Sequence, residues 1–300
     1  MIFTNNLNET VGRDLAPAVL GENNMQKYEI ENHEPSYLPE GEWELAWADE
    51  FDGDTLDKTK WDFRLHLFHK KHDGWLADEG VEVKDGNLIF KLVEKDGKYY
   101  SSQLQTGENW YDRPGVSADW SVAPFKEPKF LHKFGYYECR CKLQKGNNWW
   151  SAFWLQSPNI GTLPDEKKAG VEVDILESFF GNSYIPHYIH FGGYGADYKF
   201  DTTKEPKEFA TYRDAMPLDD GWHRFGCLWE EDGYTFFVDG KPSGKKLTGG
   251  VSHTEQFILI GTECVGYRSC IPGIYEKTGC DNIVENDKFI VDYVRVFDRK

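Results

Sequence analysis

The run Gly170–Phe180, GVEVDILESFF, places Glu172, Asp174 and Glu177 within an otherwise apolar stretch. The apolar members are mostly β-branched or aromatic, which predicts a strand. Carboxylates in a core strand are costly unless they are paired or put to use. Side chains alternate faces along a strand, so Glu172 and Asp174 share one face and strict alternation sends Glu177 to the other. A single β-bulge between Asp174 and Glu177 adds one residue and returns all three to one face.

Carboxyl groups about 5–5.5 Å apart are the arrangement of a retaining glycosidase, in which one attacks and the other first protonates the leaving oxygen, then activates water. In that reading Asp174 hydrogen-bonds the nucleophile and tunes its charge, because close like charges push their pKa values apart. Two other readings stand beside it. An exposed edge strand with a solvated acidic face is disfavoured by the apolar neighbours. A cation site built from carboxylate oxygens is disfavoured because such ligands usually come from a loop.

A 300-residue chain can bury a large core, and one all-β domain can run to this length. Lys and Arg number 34 against 51 Asp and Glu, a net charge of -17. That balance argues against nucleic acid or an anionic membrane as partner, and weakly against a highly sulfated polysaccharide. Aromatics make up 16% of the chain, with 11 Trp and 16 Tyr. Much of this is core, and the remainder suits platforms for flat sugar faces. No apolar run is long enough to span a bilayer. No basic segment followed by an apolar one opens the chain, so no secretion signal is visible, although a polymer substrate favours an extracellular site. Cys139, Cys141 and Cys227 are expected in the core as small apolar residues. Cys264, Cys270 and Cys280 share one late stretch, where a disulfide is one option.

Residues 1–40 are polar and aperiodic and read as an arm or linker. From 41 to 300 strand signals recur, punctuated by Asp-Gly turns at 85–86, 96–97, 232–233 and 239–240. The expectation is an all-β jelly-roll sandwich of two antiparallel sheets, with one face of one sheet left open as a substrate cleft. The long insertions 64–79, 107–130 and 265–285 would wall that cleft.

The ordered motifs resemble glycoside hydrolase family 16 from about residue 43 to 299. Glu172-Val-Asp-Ile-Leu-Glu177 is similar to its E-x-D-x-x-E motif, and Glu44–Gly53, Phe134–Leu143, Trp150–Leu155, Gly221–Trp229, Tyr234–Lys241 and Val291–Phe297 resemble its other strands. The resemblance implies a retaining, endo-acting hydrolase of β-linked glucans or galactans. It implies Glu172 as nucleophile, Asp174 as assisting acid and Glu177 as acid/base. Trp150 and Trp154 match positions facing the reacting sugar, and His190 resembles a His that reaches toward the acidic cluster. Trp110 and Trp75 are further candidate stacking platforms. No cofactor is needed for the chemistry, but the resemblance implies a structural calcium at Gly86 and Asp292.

The chain also departs from the family. Gln103 follows Ser101-Ser102 where laminarinases usually show an Arg, so a sugar-contacting cation is missing there. Ser151 replaces a Pro, and Glu263 stands where an Asn is usual, either as a further cleft carboxylate or as an idle rim residue. β-1,3-Glucan is the first expectation for substrate, then mixed-linkage glucan, then a galactan such as agar, porphyran or carrageenan. A non-catalytic carbohydrate-binding sandwich and a transglycosylase of the same fold are the rivals. No protein partner is expected.

Overall fold

A computed structural model of the chain describes residues 25–64, 75–96, 98–110, 126–146, 149–179, 181–204, 215–264 and 284–300. Two antiparallel sheets form its body. Their strands in chain order are β1 (Trp43–Asp49), β2 (Asp62–Phe63), β3 (Val81–Lys84), β4 (Asn87–Phe90), β5 (Gln103–Gln105), β6 (Gly135–Lys142), β7 (Trp149–Gln156), β8 (Glu172–Ser178), β9 (Tyr188–Phe191), β10 (Lys199–Thr202), β11 (His223–Glu230), β12 (Gly233–Val238), β13 (Lys241–Pro242), β14 (Phe257–Cys264) and β15 (Phe289–Arg299). The first sheet has the order β10-β9-β8-β7-β14-β5-β2. The second runs β13-β12-β11-β6-β15-β4-β3, with β1 pairing the far half of β15.

One large apolar core lies between the sheets. Phe153, Leu155, Val173 and Ile260 come from the first sheet and meet Cys139, Phe225, Val291 and Val294 from the second. Cys139, Cys141 and Cys227 are buried free thiols, as expected of small apolar residues in the core. The Asp-Gly turns at 85–86 and 239–240 have positive φ at both central residues, the type I′ geometry that matches strand twist. Residues 270 and 280 lie outside the described segments, as does the side chain of Cys264.

The segment expected to be an arm is described from Met25, and from there it is not free. Gln26–Tyr28 and Ser36–Leu38 form a hairpin on the outer face of the second sheet. The reason is that this face is only half polar. Tyr136, Leu228, Phe237 and Phe297 point away from the main core and are buried with Trp43 under Leu38. Beside them, Glu138 accepts from the Tyr37 backbone N–H at 3.1 Å and from the Tyr293 hydroxyl at 2.7 Å. Arg295, fully buried, donates to both Glu50 oxygens at 2.7 Å, to the Glu34 carbonyl at 2.8 Å and to Ser36 Oγ at 2.9 Å. The charged residues of this face are thus satisfied in part by the hairpin that covers them, through Glu34, Ser36 and Tyr37, and in part by Glu50 and Tyr293.

Removing a buried charge's partner costs far more than removing a surface charge. Arg295→Ala should lower unfolding free energy by about 3–5 kcal/mol. Arg299→Ala, at a half-exposed position, should cost about 1 kcal/mol at most. Denaturant midpoints of the two variants measure the difference.

Candidate active site

The register of β8 against β7 resolves the phase problem of the three carboxylates. Glu172 pairs with Gln156, Asp174 with Trp154 and Glu177 with Ala152, with a register shift between Phe153 and Trp154. Residues directly opposite one another in a sheet share a face. Positions 152, 154 and 156 alternate regularly, so Glu172, Asp174 and Glu177 lie on one face. The price of that alignment falls on Ile175 and Leu176, consecutive residues that are both completely buried in the core. This is the bulge that the sequence requires. Opposite Glu172 and Asp174 on the other flank stand His190 and Tyr188 of β9.

The site is nearly dry. Asp174 is 5% exposed and Glu177 9%. Each group therefore relies on neighbours rather than water. His190 Nε2 lies 3.0 Å from Asp174 Oδ2 and 3.9 Å from Glu172 Oε1, and its Nδ1 lies 2.6 Å from the Tyr198 hydroxyl. The imidazole plane runs nearly parallel to the Tyr188 and Tyr198 rings, with centroids 5.4 and 5.7 Å away. Burial works to lower its pKa, but the hydrogen bond and charge of Asp174, with the charges of Glu172 and Glu177, outweigh it and raise the pKa to about 9. At neutral pH the ring is an imidazolium that donates from both nitrogens.

Glu172 receives a different set. Gln156 Nε2 donates to its Oε2 at 3.0 Å, and the Tyr194 hydroxyl donates to the same oxygen. Gln156 is held in turn by Asn109 and by the Tyr194 hydroxyl. Burial, then the charge of Asp174, pushes the Glu172 carboxyl up to about 7, against the pull of His190, Tyr194 and Arg64. An acid whose pKa sits at 7 is ionised or protonated by small changes around it, the poise expected of a reacting group.

The floor extends across the sheet toward β5. Gln103 Nε2 donates to Glu263 Oε1 at 2.6 Å, and Glu263 stands opposite Trp150 on the neighbouring strand. Arg64, 4% exposed, donates to Gln103 Oε1 at 3.2 Å and lies 5.0 Å from the Trp154 ring centroid. A cation thus stands beside Gln103, brought there from the residue after β2. Trp150 is opposite Glu263 and stacks on Phe179. Trp110 is half exposed, with its indole N–H on the Ile160 carbonyl at 2.7 Å. Trp75 belongs to a short strand whose side chains lie outside the described ones. Sequence reading missed Arg64, Gln156, Tyr194 and Tyr198. Only Gln156 carried a signal, because it continues the two-residue period of Trp150, Ala152 and Trp154.

Gly86 turns between β3 and β4, and Asp292 follows Val291, which pairs with Leu88 of β4. Their chemistry does not favour calcium. Asp292 Oδ2 is 2.7 Å from Arg140 Nη1, and Arg140 also lies over the Trp222 ring. A guanidinium already supplies the positive charge. Among the described residues, the single cluster of three metal-capable groups is Glu172, Asp174 and His190, within the cleft itself.

A dry row of acids on the open face of a two-sheet sandwich, with polar and aromatic residues beside it, defines a carbohydrate-processing β-sandwich enzyme. The chain matches the family model described as "Beta-porphyranase A-D, GH16 domain" over residues 43–299. It belongs to glycoside hydrolase family 16 and is a glycoside hydrolase. It is 26% identical over 215 residues to glucan endo-1,3-beta-glucosidase A1 of Niallia circulans, spanning 66% of this chain and 28% of that protein. It is 29% identical over 248 residues to the glucan endo-1,3-beta-glucosidase of Cryptopygus antarcticus, spanning 80% of this chain and 76% of that one. The laminarinase catalytic domain of Thermotoga maritima superposes with a TM-score of 0.59 at 23% identity, over 86% of this chain and 99% of that domain. This likeness bears on the fold, a jelly roll.

Because Arg140 neutralises Asp292, chelation of divalent cations should leave the melting temperature unchanged within about 1 °C, whereas Arg140→Ala should lower it. Differential scanning calorimetry with and without EDTA checks both.

Proposed function

We propose that this chain is a retaining, endo-acting glycanase that cleaves a β-linked polysaccharide, with β-1,3-glucan as the first substrate class. The alignment of Glu172, Asp174 and Glu177 on one face by the bulge carries this reading. The first step breaks the bond between the anomeric carbon and the leaving oxygen. Glu172 forms a bond to that carbon while Glu177 gives its proton to the oxygen. In the second step Glu177 takes a proton from water, the water oxygen attacks the same carbon, and Glu172 leaves. The pairing of Asp174 with the His190 imidazolium neutralises the middle carboxylate beside the attacking one. Tyr194 and Gln156 stabilise Glu172 in its ionised form and orient it.

Glucan is supported by the two relatives whose names state a glucan endo-1,3-beta-glucosidase. A second reading, a porphyran-type galactan, is supported by the matching family model and by Arg64. The expected scarcity of cleft cations counted against anionic galactans, and Arg64 weakens that objection. A polymer substrate further supports action outside the cell. No helix among the described residues is long and apolar enough to cross a membrane.

Glu172→Gln and Glu177→Gln should each lower turnover by roughly 10³-fold or more on the polymer that proves to be the substrate. Reducing-end release from laminarin and from porphyran, with the anomeric configuration of the first product read by NMR, measures this. Near-normal rates in either variant, or an inverted product, would sink the mechanism.

The pH dependence follows from Glu172. It must be ionised to attack, so kcat/KM should fall as pH drops through about 7. The Tyr194 hydroxyl favours the ionised form, so its loss raises the Glu172 pKa. Tyr194→Phe should move the acid limb of the kcat/KM profile to higher pH. A limb that stays put or moves lower contradicts the role given to Tyr194.

A further inference from the structure

We propose that His187 is a positioning residue that holds the β8 bulge, and through it the placement of Glu177 relative to Glu172. The inference rests on the glycosidase reading above and adds a residue from outside the cleft.

In an antiparallel ladder, hydrogen-bonded pairs recur at every second residue. The Ile185 N–H bonds the Glu177 carbonyl at 3.0 Å. Two steps along, the next such pair would join the His187 N–H to the carbonyl of Ile175. That bond is not made. The His187 N–H turns instead to Thr203 Oγ1 at 3.1 Å. The carbonyl of Ile175 belongs to the extra residue of the bulge, and a buried carbonyl needs a donor. His187 supplies it from its side chain, with Nδ1 2.8 Å from the Ile175 oxygen.

The rest of the residue is built to keep that donor in place. A carbonyl cannot donate, so Nδ1 bears the hydrogen. Burial drives the His187 pKa down to about 4, so the ring is neutral and Nε2 is an acceptor. Ser243 Oγ, 2.9 Å away, donates to it. The ring lies flat on Phe236, with centroids 4.5 Å apart and planes 4° from parallel. Phe236 belongs to β12 of the second sheet. His187 is 1% exposed and points away from the cleft, so it touches no substrate. It ties the irregular point of the catalytic strand to the opposite sheet, and Glu177 follows two residues after the clamped carbonyl.

Three substitutions separate the two nitrogens. Asn places its amide N–H near the position of Nδ1, Gln places its amide near Nε2, and Phe keeps the stack while removing both. His187→Phe and His187→Gln should lose about 100-fold in kcat/KM on the polysaccharide, the scale of a 1 Å misplacement of a catalytic group. His187→Asn should stay within about 3-fold of the parent enzyme. A 2,4-dinitrophenyl β-glycoside of an oligosaccharide cut from that polymer leaves without a proton, so its first step does not need Glu177 as acid. On that substrate His187→Phe should lose less than about 3-fold in kcat/KM, which also shows that the variant is folded.

Equal losses on both substrates would reduce His187 to a structural residue and overturn the proposal. So would activity kept by Gln and lost by Asn, or polymer hydrolysis unchanged in His187→Phe. Failure of the glycosidase reading itself would appear separately, as retained turnover in Glu177→Gln.

Discussion

A strand that faces a hydrophobic core on one side and holds three acids on the other must break its own periodicity, and much of this structure is arranged around that break. The bulge at Ile175 turns two consecutive side chains into the core so that Glu177 can join Glu172 and Asp174. A local irregularity of this kind leaves backbone groups without ladder partners. It persists only where the surroundings over-determine it. Here β7 fixes the register on one side, and the segment from Ile185 to Tyr188 fixes it on the other.

The electrostatics follow from the same crowding. Three carboxylates on one nearly dry face repel one another and lose hydration. His190 answers the first problem by remaining an imidazolium against Asp174, with Glu172 and Glu177 also acting on it. Tyr194 and Gln156 answer the second by donating to Glu172. What remains is a carboxyl poised at about 7 rather than silenced. The second sheet solves a comparable problem differently. There Glu138 and Arg295 are covered by the N-terminal hairpin and bonded to it, so burial and satisfaction arrive together.

How much of this was readable in advance differs by residue. The β-branched and aromatic residues around Glu172 and Asp174 marked β8 as a strand, and the misfit of Glu177 demanded a bulge. The Asp-Gly pairs at 85–86 and 239–240 marked real hairpins because a type I′ turn needs those residues. Trp150 and Trp154 were placed beside the catalytic strand by the family resemblance, and they lie on β7, which pairs with β8. Arg64, Tyr194 and Tyr198 were not readable. They reach the cleft from the ends of β2 and from the connection between β9 and β10, where no period operates. The hairpin over residues 26–38 was mistaken for an arm because its strands are only three residues long. Its partners, such as Glu138 and Arg295, are more than a hundred residues away.

The sequence by itself determined the strand, the count of acids and the need for one extra residue between Asp174 and Glu177. These are consequences of local geometry, since a strand's alternation is set by its own backbone. Tertiary structure alone decided where the extra residue's carbonyl finds a donor, which cation enters the cleft, and how far Glu172 is raised. Those outcomes depend on side chains brought together from distant segments in a space with little water, where a single 3 Å contact decides a protonation state. A linear pattern records which groups a chain owns. It does not record which of them become neighbours once the sheets have packed.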